Sequence, residues 1–222
     1  MCGRFTLDPD KRFYPRFKIK DAVYDVKPRY NIAPGQFVGV IVNDGKENRL
    51  EPMRWGLVPF WAKDPRIGYK MINARVETLN SKASFKYALK KRRCIISASG
   101  FYEWKKSDGS KTPYYIYSKD KDYLALAGLY EIWKDPEGRD LKTFTIITTT
   151  PVPIVADLHN RMPLVLNKIN EKDWLDPANE DVFQVLMILQ NTVSPELTKH
   201  AVSAQVNSPA FDSVELLKKV SD

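Results

Sequence analysis

A cysteine directly follows the initiator methionine, and it is one of only two cysteines in 222 residues. Chain ends are usually poorly ordered, so packing gives little reason for a thiol at Cys2. Removal of Met1 would leave a residue with two nucleophiles, an amine and a thiol, on adjacent carbons. The unperturbed pKa is about 7.7–8.0 for an α-amine and about 8.5 for a thiol, so both are partly deprotonated near neutral pH. The start of the chain therefore predicts a nucleophilic site.

A carboxylate inside an aromatic strand is the second candidate. In GFYEW (100–104) the alternation of a strand places Glu103 on the same face as Phe101. At a strand edge this carboxylate would simply face water. If it is buried instead, its pKa rises, and it becomes a proton carrier near neutral pH.

The stretch DLHNRMP (157–163) carries His159, one of two histidines in the chain. A lone histidine is either a satisfied structural residue or an acid–base group, and both interpretations stay open at this point. The other histidine, His200, lies among ordinary surface-like residues in LTKHAV (197–202). We interpret it as structural or solvent-facing.

Three short stretches with candidate site residues each contain an arginine: MCGR (1–4), INARVET (72–78) and DLHNRMP (157–163). Asn73 and Arg75 lie two residues apart in INARVET (72–78), so they would share a face of an extended segment. Taken separately, they would be a turn former and a surface cation. Together with Arg4 and Arg161, Arg75 could instead line a phosphate path, because the planar guanidinium suits phosphate better than the point charge of lysine does.

Two tryptophans flank the loop-forming residues of RWGLVPFW (54–61). Trp55 is predicted to lie in the core. Trp61, if exposed beside basic residues, could stack on an unpaired base. The second cysteine, Cys94, begins an apolar strand and is predicted to be a buried, inert thiol.

Composition narrows the class of protein. The chain has 35 Lys and Arg against 27 Asp and Glu, and this net charge of +8 suits an anionic partner. No stretch approaches the roughly 20 apolar residues of a membrane span, and residues 1–10 lack the apolar segment of a signal peptide. We therefore expect a cytoplasmic protein with no membrane partner. We also expect a monomer. Neither C-x-x-C nor H-E-x-x-H occurs, and we expect no metal or other cofactor.

Short apolar and β-branched runs, separated by turn residues, must position these side chains. They predict strands at 36–44, 94–106, 112–120, 123–133 and 141–150, and a strand that leads into a Pro-broken loop over 50–61. They also predict helices at 81–93, 170–175 and 180–190. Residues 213–220 are predicted as a terminal helix or a frayed tail. The pattern is typical of an α+β protein with one β-rich domain, in which a mostly antiparallel, barrel-like sheet has helices at its margins.

Nine stretches, in this order, carry a resemblance to a known family: MCGRF (1–5), RYNIAPGQ (29–36), MRWGLVPFWAKD (53–64), INARVET (72–78), RRCIISASGFYEWK (92–105), PYYIY (113–117), LAGLYE (126–131), FTIITT (144–149) and HNRMPLVL (159–166). The chain resembles the SRAP family (SOS response-associated peptidase-like proteins), known for covalent capture of abasic sites in single-stranded DNA. The resemblance implies a single SRAP domain over 1–222, with its motifs within 1–166 and residues 167–222 completing or decorating it.

The resemblance also implies a role for each matching residue. Cys2 would be the nucleophile, and Asn73 would orient the N-terminal amine and the sugar of the lesion. Glu103 would shuttle protons around an imine, and His159 would assist opening of the deoxyribose ring. Six further residues would contact the DNA, the first three through its phosphates: Arg4, Arg75, Arg161, Trp61, Pro34 and Thr148.

The chemistry of such a capture follows from the two nucleophiles of Cys2. The amine would attack the aldehyde of an opened abasic sugar to give an imine, and the thiol would then close a five-membered thiazolidine ring on the same carbon. An imine left alone labilises the 3′ phosphate, as in AP lyases. Ring closure would keep the strand intact and protect the lesion during the DNA damage response.

Three other functions stay open. An autocatalytic thiol peptidase could remove residues ahead of Cys2, with Glu103 or His159 as the base. An amidohydrolase with an N-terminal cysteine nucleophile would share the same start but would not need the arginines. A nonenzymatic binding module for single-stranded DNA or RNA would explain the charge and Trp61, but it would leave Cys2 and Asn73 without a role.

Overall fold

The computed structural model describes residues 2–107 and 109–220. Within them the strands are β1 (Phe5–Leu7), β2 (Ile19–Ala22), β3 (Arg29–Ile32), β4 (Phe37–Asn43), β5 (Asn48–Trp55), β6 (Asn73–Arg75), β7 (Arg93–Ala98), β8 (Gly100–Ser107), β9 (Ser110–Ser118), β10 (Leu124–Lys134), β11 (Asp140–Thr149), β12 (Met162–Pro163), β13 (Val165–Leu166) and β14 (Leu197–Ala201). The α-helices are α1 (Phe13–Arg16), α2 (Ala83–Lys91), α3 (Pro153–Ala156), α4 (Lys168–Leu175) and α5 (Val182–Gln190), and 3-10 helices span Pro65–Lys70, Val76–Thr78, Ala204–Asn207 and Val214–Leu217.

Five strands close into a barrel in the order β11, β10, β7, β4 and β5, and β5 returns to β11 through a parallel pairing. The other neighbours in this ring are antiparallel. Trp55, at the end of β5, is buried and stacks on Phe144 of β11 with ring centroids 6.2 Å apart. The predicted α+β class with a barrel-like, mostly antiparallel sheet is confirmed, and so is the core position of Trp55.

A second, five-stranded sheet carries the start of the chain. Its order is β14, β9, β8, β1 and β3, so β1 lies between β8 and β3 and is antiparallel to both. Just ahead of β1, the carbonyl of Arg4 accepts a hydrogen bond from the backbone N–H of Tyr102 at 2.9 Å. This pairing places the first residues of the chain beside the GFYEW strand.

The predicted strand over 94–106 is wrong, because the run divides at Ser99 into β7 and β8, which belong to different sheets. At this point the chain passes from one sheet to the other, and Gly100 lets its backbone pack closely against β9. A Cβ there would lie 2.5 Å from the ring of Tyr115 and 2.6 Å from the carbonyl oxygen of Ile116. The run reads as one strand because no charged or strong turn residue other than Gly100 interrupts it before Glu103, and the break comes from tertiary packing.

The helices lie around this sheet framework. The predicted helices at 81–93, 170–175 and 180–190 correspond to α2, α4 and α5, and the side chains of Asn167 and Asp181 cap the last two. At 213–220 the structure has one 3-10 turn whose Leu216 is buried, instead of a longer helix or a frayed end. In the two described ranges no helix is long and apolar enough to cross a membrane.

Candidate active site

The Asn73 side chain ties the start of the chain to the barrel. Cys2 is fully buried where the chain enters β1. Asn73 begins β6, which runs parallel to barrel strand β11 and pairs with it opposite Ile146. The Asn73 side-chain amide donates a hydrogen bond from Nδ2 to the carbonyl oxygen of Cys2 at 2.8 Å. Its Oδ1 is buried and accepts no hydrogen bond from the described residues.

Burial changes the acid–base state of the Cys2 thiol. Loss of solvent raises its pKa far above the ordinary range, and the negative charge of nearby Glu103 raises it further. The partial ionisation expected for this thiol once Met1 is removed stays a prediction. The thiol is protonated near neutral pH, and its attack on carbon needs a base.

Glu103 is a buried carboxylate on β8, with 2% of its surface exposed. The interpretation that it faces water at a strand edge is wrong. Burial raises its pKa above the ordinary value. A carboxylate with a raised pKa beside a protonated thiol is suited to take up the thiol proton and to return it.

His159 is half-buried and follows α3. Its Nδ1 accepts a hydrogen bond from the backbone N–H of Arg161 at 3.0 Å. The neutral ring therefore carries its proton on Nε2. Burial lowers the pKa of His159, and the positive charges of Lys106 and Arg161 act in the same direction. The ring is thus mainly neutral at pH 7, with a donor at Nε2.

One cleft brings the GFYEW and DLHNRMP stretches together. Its volume is about 430 Å³, and Glu103 and His159 both line it. The remaining lining residues are Trp104, Lys106, Lys111 and Asn207. Two lysines at its walls make the cleft attractive to an anion.

The three predicted phosphate-binding arginines lie in different surroundings. Arg75 is exposed at the end of β6. Arg4 is half-buried and donates hydrogen bonds to Asn31 Oδ1 at 3.0 Å and to the carbonyl of Asn207 at 3.4 Å. Arg161 is 12% exposed and forms a two-point ion pair with Glu77.

The other three predicted DNA contacts also differ in exposure. Trp61 is 51% exposed in the loop after β5, and the neighbouring Ala62 carbonyl accepts a 2.6 Å hydrogen bond from the indole of Trp133. Pro34 is half-buried in the turn before β4. Thr148 is fully buried, so its side chain does not reach solvent, but its carbonyl accepts a hydrogen bond from Arg161.

The remaining cysteine and histidine are structural, as the sequence predicts. Cys94 is fully buried in the core, and burial raises its pKa. His200 Nε2 lies 2.7 Å from the carbonyl of Leu217, and its ring packs edge-on against Tyr115 and Tyr117. Over the described part of the chain, no cluster of three or more His, Cys, Asp or Glu side chains is arranged to hold a metal ion.

Asn31 is a site residue that the sequence reasoning misses. It is fully buried, and while its Oδ1 accepts from Arg4, its Nδ2 donates to the carbonyls of Val206, Ser208 and Phe211. It thereby fixes the C-terminal segment that supplies Asn207 to the cleft. A polar residue between Tyr and Ile in RYNIAPGQ is the available signal, but the carbonyls that accept from its Nδ2 lie 175 to 180 residues away.

A family model described as SOS response associated peptidase (SRAP) matches residues 1–209. The chain belongs to the SRAP family. It is 47% identical to the abasic site processing protein YoqW of Bacillus subtilis (strain 168), over 98% of this chain and 99% of that one. It is 35% identical to the abasic site processing protein HMCES of Gallus gallus, over 86% of this chain and 66% of that one.

Solved structures share the fold. A protein from Bacteroides thetaiotaomicron superposes with a TM-score of 0.84 at 24% identity, over 99% of this chain and 100% of that one. A phage-related protein from Bordetella bronchiseptica superposes with a TM-score of 0.72 at 27% identity, over 90% of this chain and 94% of that one. This SRAP chain therefore has a fold already seen in bacterial proteins.

Proposed function

We propose that this protein processes abasic sites in single-stranded DNA, and that it does so by forming a covalent thiazolidine through Cys2 after removal of Met1. Met1 itself lies outside the described residues. The relatives named as abasic site processing proteins support the substrate. The observation that carries the mechanism is the 2.8 Å hydrogen bond from Asn73 to the Cys2 carbonyl, which holds the nucleophile beside the buried carboxylate of Glu103.

Noncovalent binding comes first. The exposed guanidinium of Arg75 and the lysines of the cleft attract phosphates, and the exposed indole of Trp61 offers a stacking surface for a base. Arg4 and Arg161 act as further phosphate contacts, and Pro34 borders the groove. Thr148 is fully buried and acts only through its carbonyl, which holds Arg161.

His159 opens the sugar. An abasic deoxyribose is mostly a closed hemiacetal, so the aldehyde must be released by acid–base catalysis. The neutral ring, whose Nδ1 is engaged by the Arg161 backbone, donates a hydrogen bond from Nε2–H to the sugar ring oxygen. The proton of the C1′ hydroxyl passes to the Glu103 carboxylate, which lines the same cleft, and from there to the ring oxygen as the C–O bond breaks, so no net proton is gained or lost.

The amine of Cys2 then attacks the aldehyde carbon. A C–N bond forms, water leaves, and the product is an imine. The buried Oδ1 of Asn73 supplies an acceptor for the amine N–H, while Nδ2 of the same side chain keeps the Cys2 carbonyl in place. Asn73 is therefore a positioning group for the nucleophile.

Ring closure uses Glu103 as the proton carrier. Glu103 takes the proton from the thiol, the sulfur bonds to the imine carbon, and the imine nitrogen receives the proton. Glu103 ends the step in the state in which it began. Because both reacting groups belong to one residue, the step is intramolecular and has a high effective molarity. The capture preserves the strand, whereas an imine that persisted would lead to lyase-type cleavage.

In this proposal the protein is a cytoplasmic monomer, and its partner is single-stranded DNA with an abasic site. When it is bound to DNA, it lies on the nucleoid. Intact-mass measurement after mixing the protein with an abasic oligonucleotide tests the proposal. We expect a species equal to protein without Met1 plus oligonucleotide minus one water, with the modification mapped to Cys2. An adduct on a lysine would overturn the role of Cys2. No adduct from protein that starts at Cys2 would overturn covalent capture in favour of the peptidase or amidohydrolase.

A further inference from the structure

Glu77 has no role in the proposed capture, although it lies in the INARVET stretch with Asn73 and Arg75. It sits in the 3-10 helix Val76–Thr78 that directly follows β6. Strand β11 lies between β6 and β12, with Thr148 opposite both Arg75 and Pro163. Glu77 and Arg161 therefore flank the same end of β11.

The carboxylate of Glu77 engages the guanidinium of Arg161 at two points. Nη1 donates to Oε1 at 2.7 Å and Nη2 to Oε2 at 3.0 Å. Nη2 also donates to the carbonyl of Thr148. This paired geometry is the one that a guanidinium uses for two phosphate oxygens as well. Glu77 thus stands where a DNA phosphate would bind Arg161.

The two partners differ in their access to water. The Arg161 side chain is 12% exposed, whereas that of Glu77 is 51% exposed. Glu77 can turn into solvent without disturbing the core. Arg161 stays fixed by the Thr148 carbonyl and, through its backbone N–H, by His159 Nδ1. In the Glu77–Arg161 ion pair, Glu77 is therefore the partner that another anion can replace.

We propose that Glu77 is an internal competitor for DNA phosphate, which occupies Arg161 until a backbone phosphate displaces it. This inference rests on the proposed function, since it takes Arg161 as a phosphate contact. Its consequence is selectivity. Weak encounters with undamaged strands must break the ion pair, and a lesion held covalently at Cys2 keeps the phosphate in place long enough for the exchange.

The test measures binding of an undamaged, fluorescently labelled single-stranded oligonucleotide over a series of salt concentrations. Glu77→Gln removes the competing charge while keeping the shape of the side chain. We expect it to tighten binding about two- to fivefold at low salt, as for loss of one exposed ion pair. We also expect a log–log salt slope steeper by about 0.7, the value for one more phosphate contact on a single strand.

Matched variants separate this effect from general charge and from structural damage. Glu137→Gln makes the same charge change at an exposed glutamate that pairs with Arg139 in the β10–β11 turn, and it should leave the slope unchanged. Glu77→Asp keeps the charge on a shorter arm and should lie between wild type and Glu77→Gln. In an Arg161→Gln background, Glu77→Gln should have no effect.

Three results would overturn the inference: unchanged or weaker binding by Glu77→Gln, an equal gain in Glu137→Gln, or a gain that persists without Arg161. Its failure is distinguishable from failure of the proposed function, because crosslinking of the wild type to an abasic oligonucleotide is measured separately. Wild-type crosslinking with an unaltered Glu77→Gln slope would sink only the competitor role. Absence of wild-type crosslinking would sink the capture mechanism, and the undamaged strand would still report on Glu77.

Discussion

The side chain of Asn73 holds the backbone carbonyl of Cys2 at 2.8 Å, although 71 residues separate them. Cys2 enters the small sheet through β1, and Asn73 belongs to β6 on the barrel. The nucleophile is therefore fixed at the junction of two sheets, and its position depends on both. A chain end that would otherwise fray becomes a defined reactive centre.

Asn73→Asp should slow covalent capture about tenfold or more. The substitution keeps the size of the side chain, but it replaces the N–H donor with a carboxylate oxygen that faces the Cys2 carbonyl. Leaving a buried carbonyl without its donor costs about 1–3 kcal/mol, and about 1.4 kcal/mol is a factor of ten. The measurement is the single-turnover rate of adduct formation. Asn191→Asp, at an exposed helix end, is the control, and a wild-type rate in Asn73→Asp would contradict the positioning role.

His159→Gln should slow capture of a natural abasic site but should spare an oligonucleotide whose aldehyde is already open-chain. The structure lowers the pKa of His159, so the neutral ring is lost only as the pH falls through that lowered value. The natural substrate should show this additional acid limb in its pH–rate profile, and the limb should vanish in His159→Gln. Equal slowing on both substrates would show that His159 does not serve ring opening.

Glu103→Gln should stabilise the protein, and more so as the pH rises. Because burial raises the folded-state pKa of Glu103 above the unfolded value, its stability contribution is fully present below about pH 4.3 and is lost as the pH rises through the folded pKa. Glutamine does not titrate. The Tm difference between variant and wild type should therefore grow from acid to neutral pH, by about 2–4 °C per kcal/mol in a chain of this size. The exposed Glu196→Gln is the control, and a pH-independent difference would argue against a buried, titrating carboxylate.

Trp61→Ala should weaken noncovalent binding to single-stranded DNA about fivefold or more, since stacking of one base on an aromatic ring contributes about 1–3 kcal/mol. Removal of the exposed indole should leave the melting temperature nearly unchanged. Phe183→Ala, at an exposed aromatic residue of α5, is the matched control. Binding by Trp61→Ala at wild-type strength would remove Trp61 from the DNA groove.

The sequence predicts the barrel-like α+β fold because period-2 apolar runs report which faces are buried. It also predicts the burial of Trp55 and Cys94, which are apolar in character. It does not predict the change of sheet at Ser99, because only the fit of Gly100 against Tyr115 reveals it. The pattern of apolar and polar residues within one segment carries no information on contacts between segments that are distant in the sequence.

In the candidate site, too, the sequence predicts which residues matter but not the contacts that set their chemical state. Residue types point to Cys2, Glu103 and His159, since each is unusual in its stretch. The protonated state of the thiol and the tautomer of His159 depend on burial and on one backbone N–H, which no spacing encodes. The part played by Asn31 is hidden for the same reason.

The most direct test is a denaturing gel of wild type and Cys2→Ala, each mixed with a single-stranded oligonucleotide carrying one abasic site or with the undamaged strand. Wild type should give a heat-stable shifted band with the lesion only. Cys2→Ala should give no such band and should show strand cleavage through an unclosed imine. A heat-stable band of wild-type intensity in Cys2→Ala would contradict thiazolidine formation at Cys2.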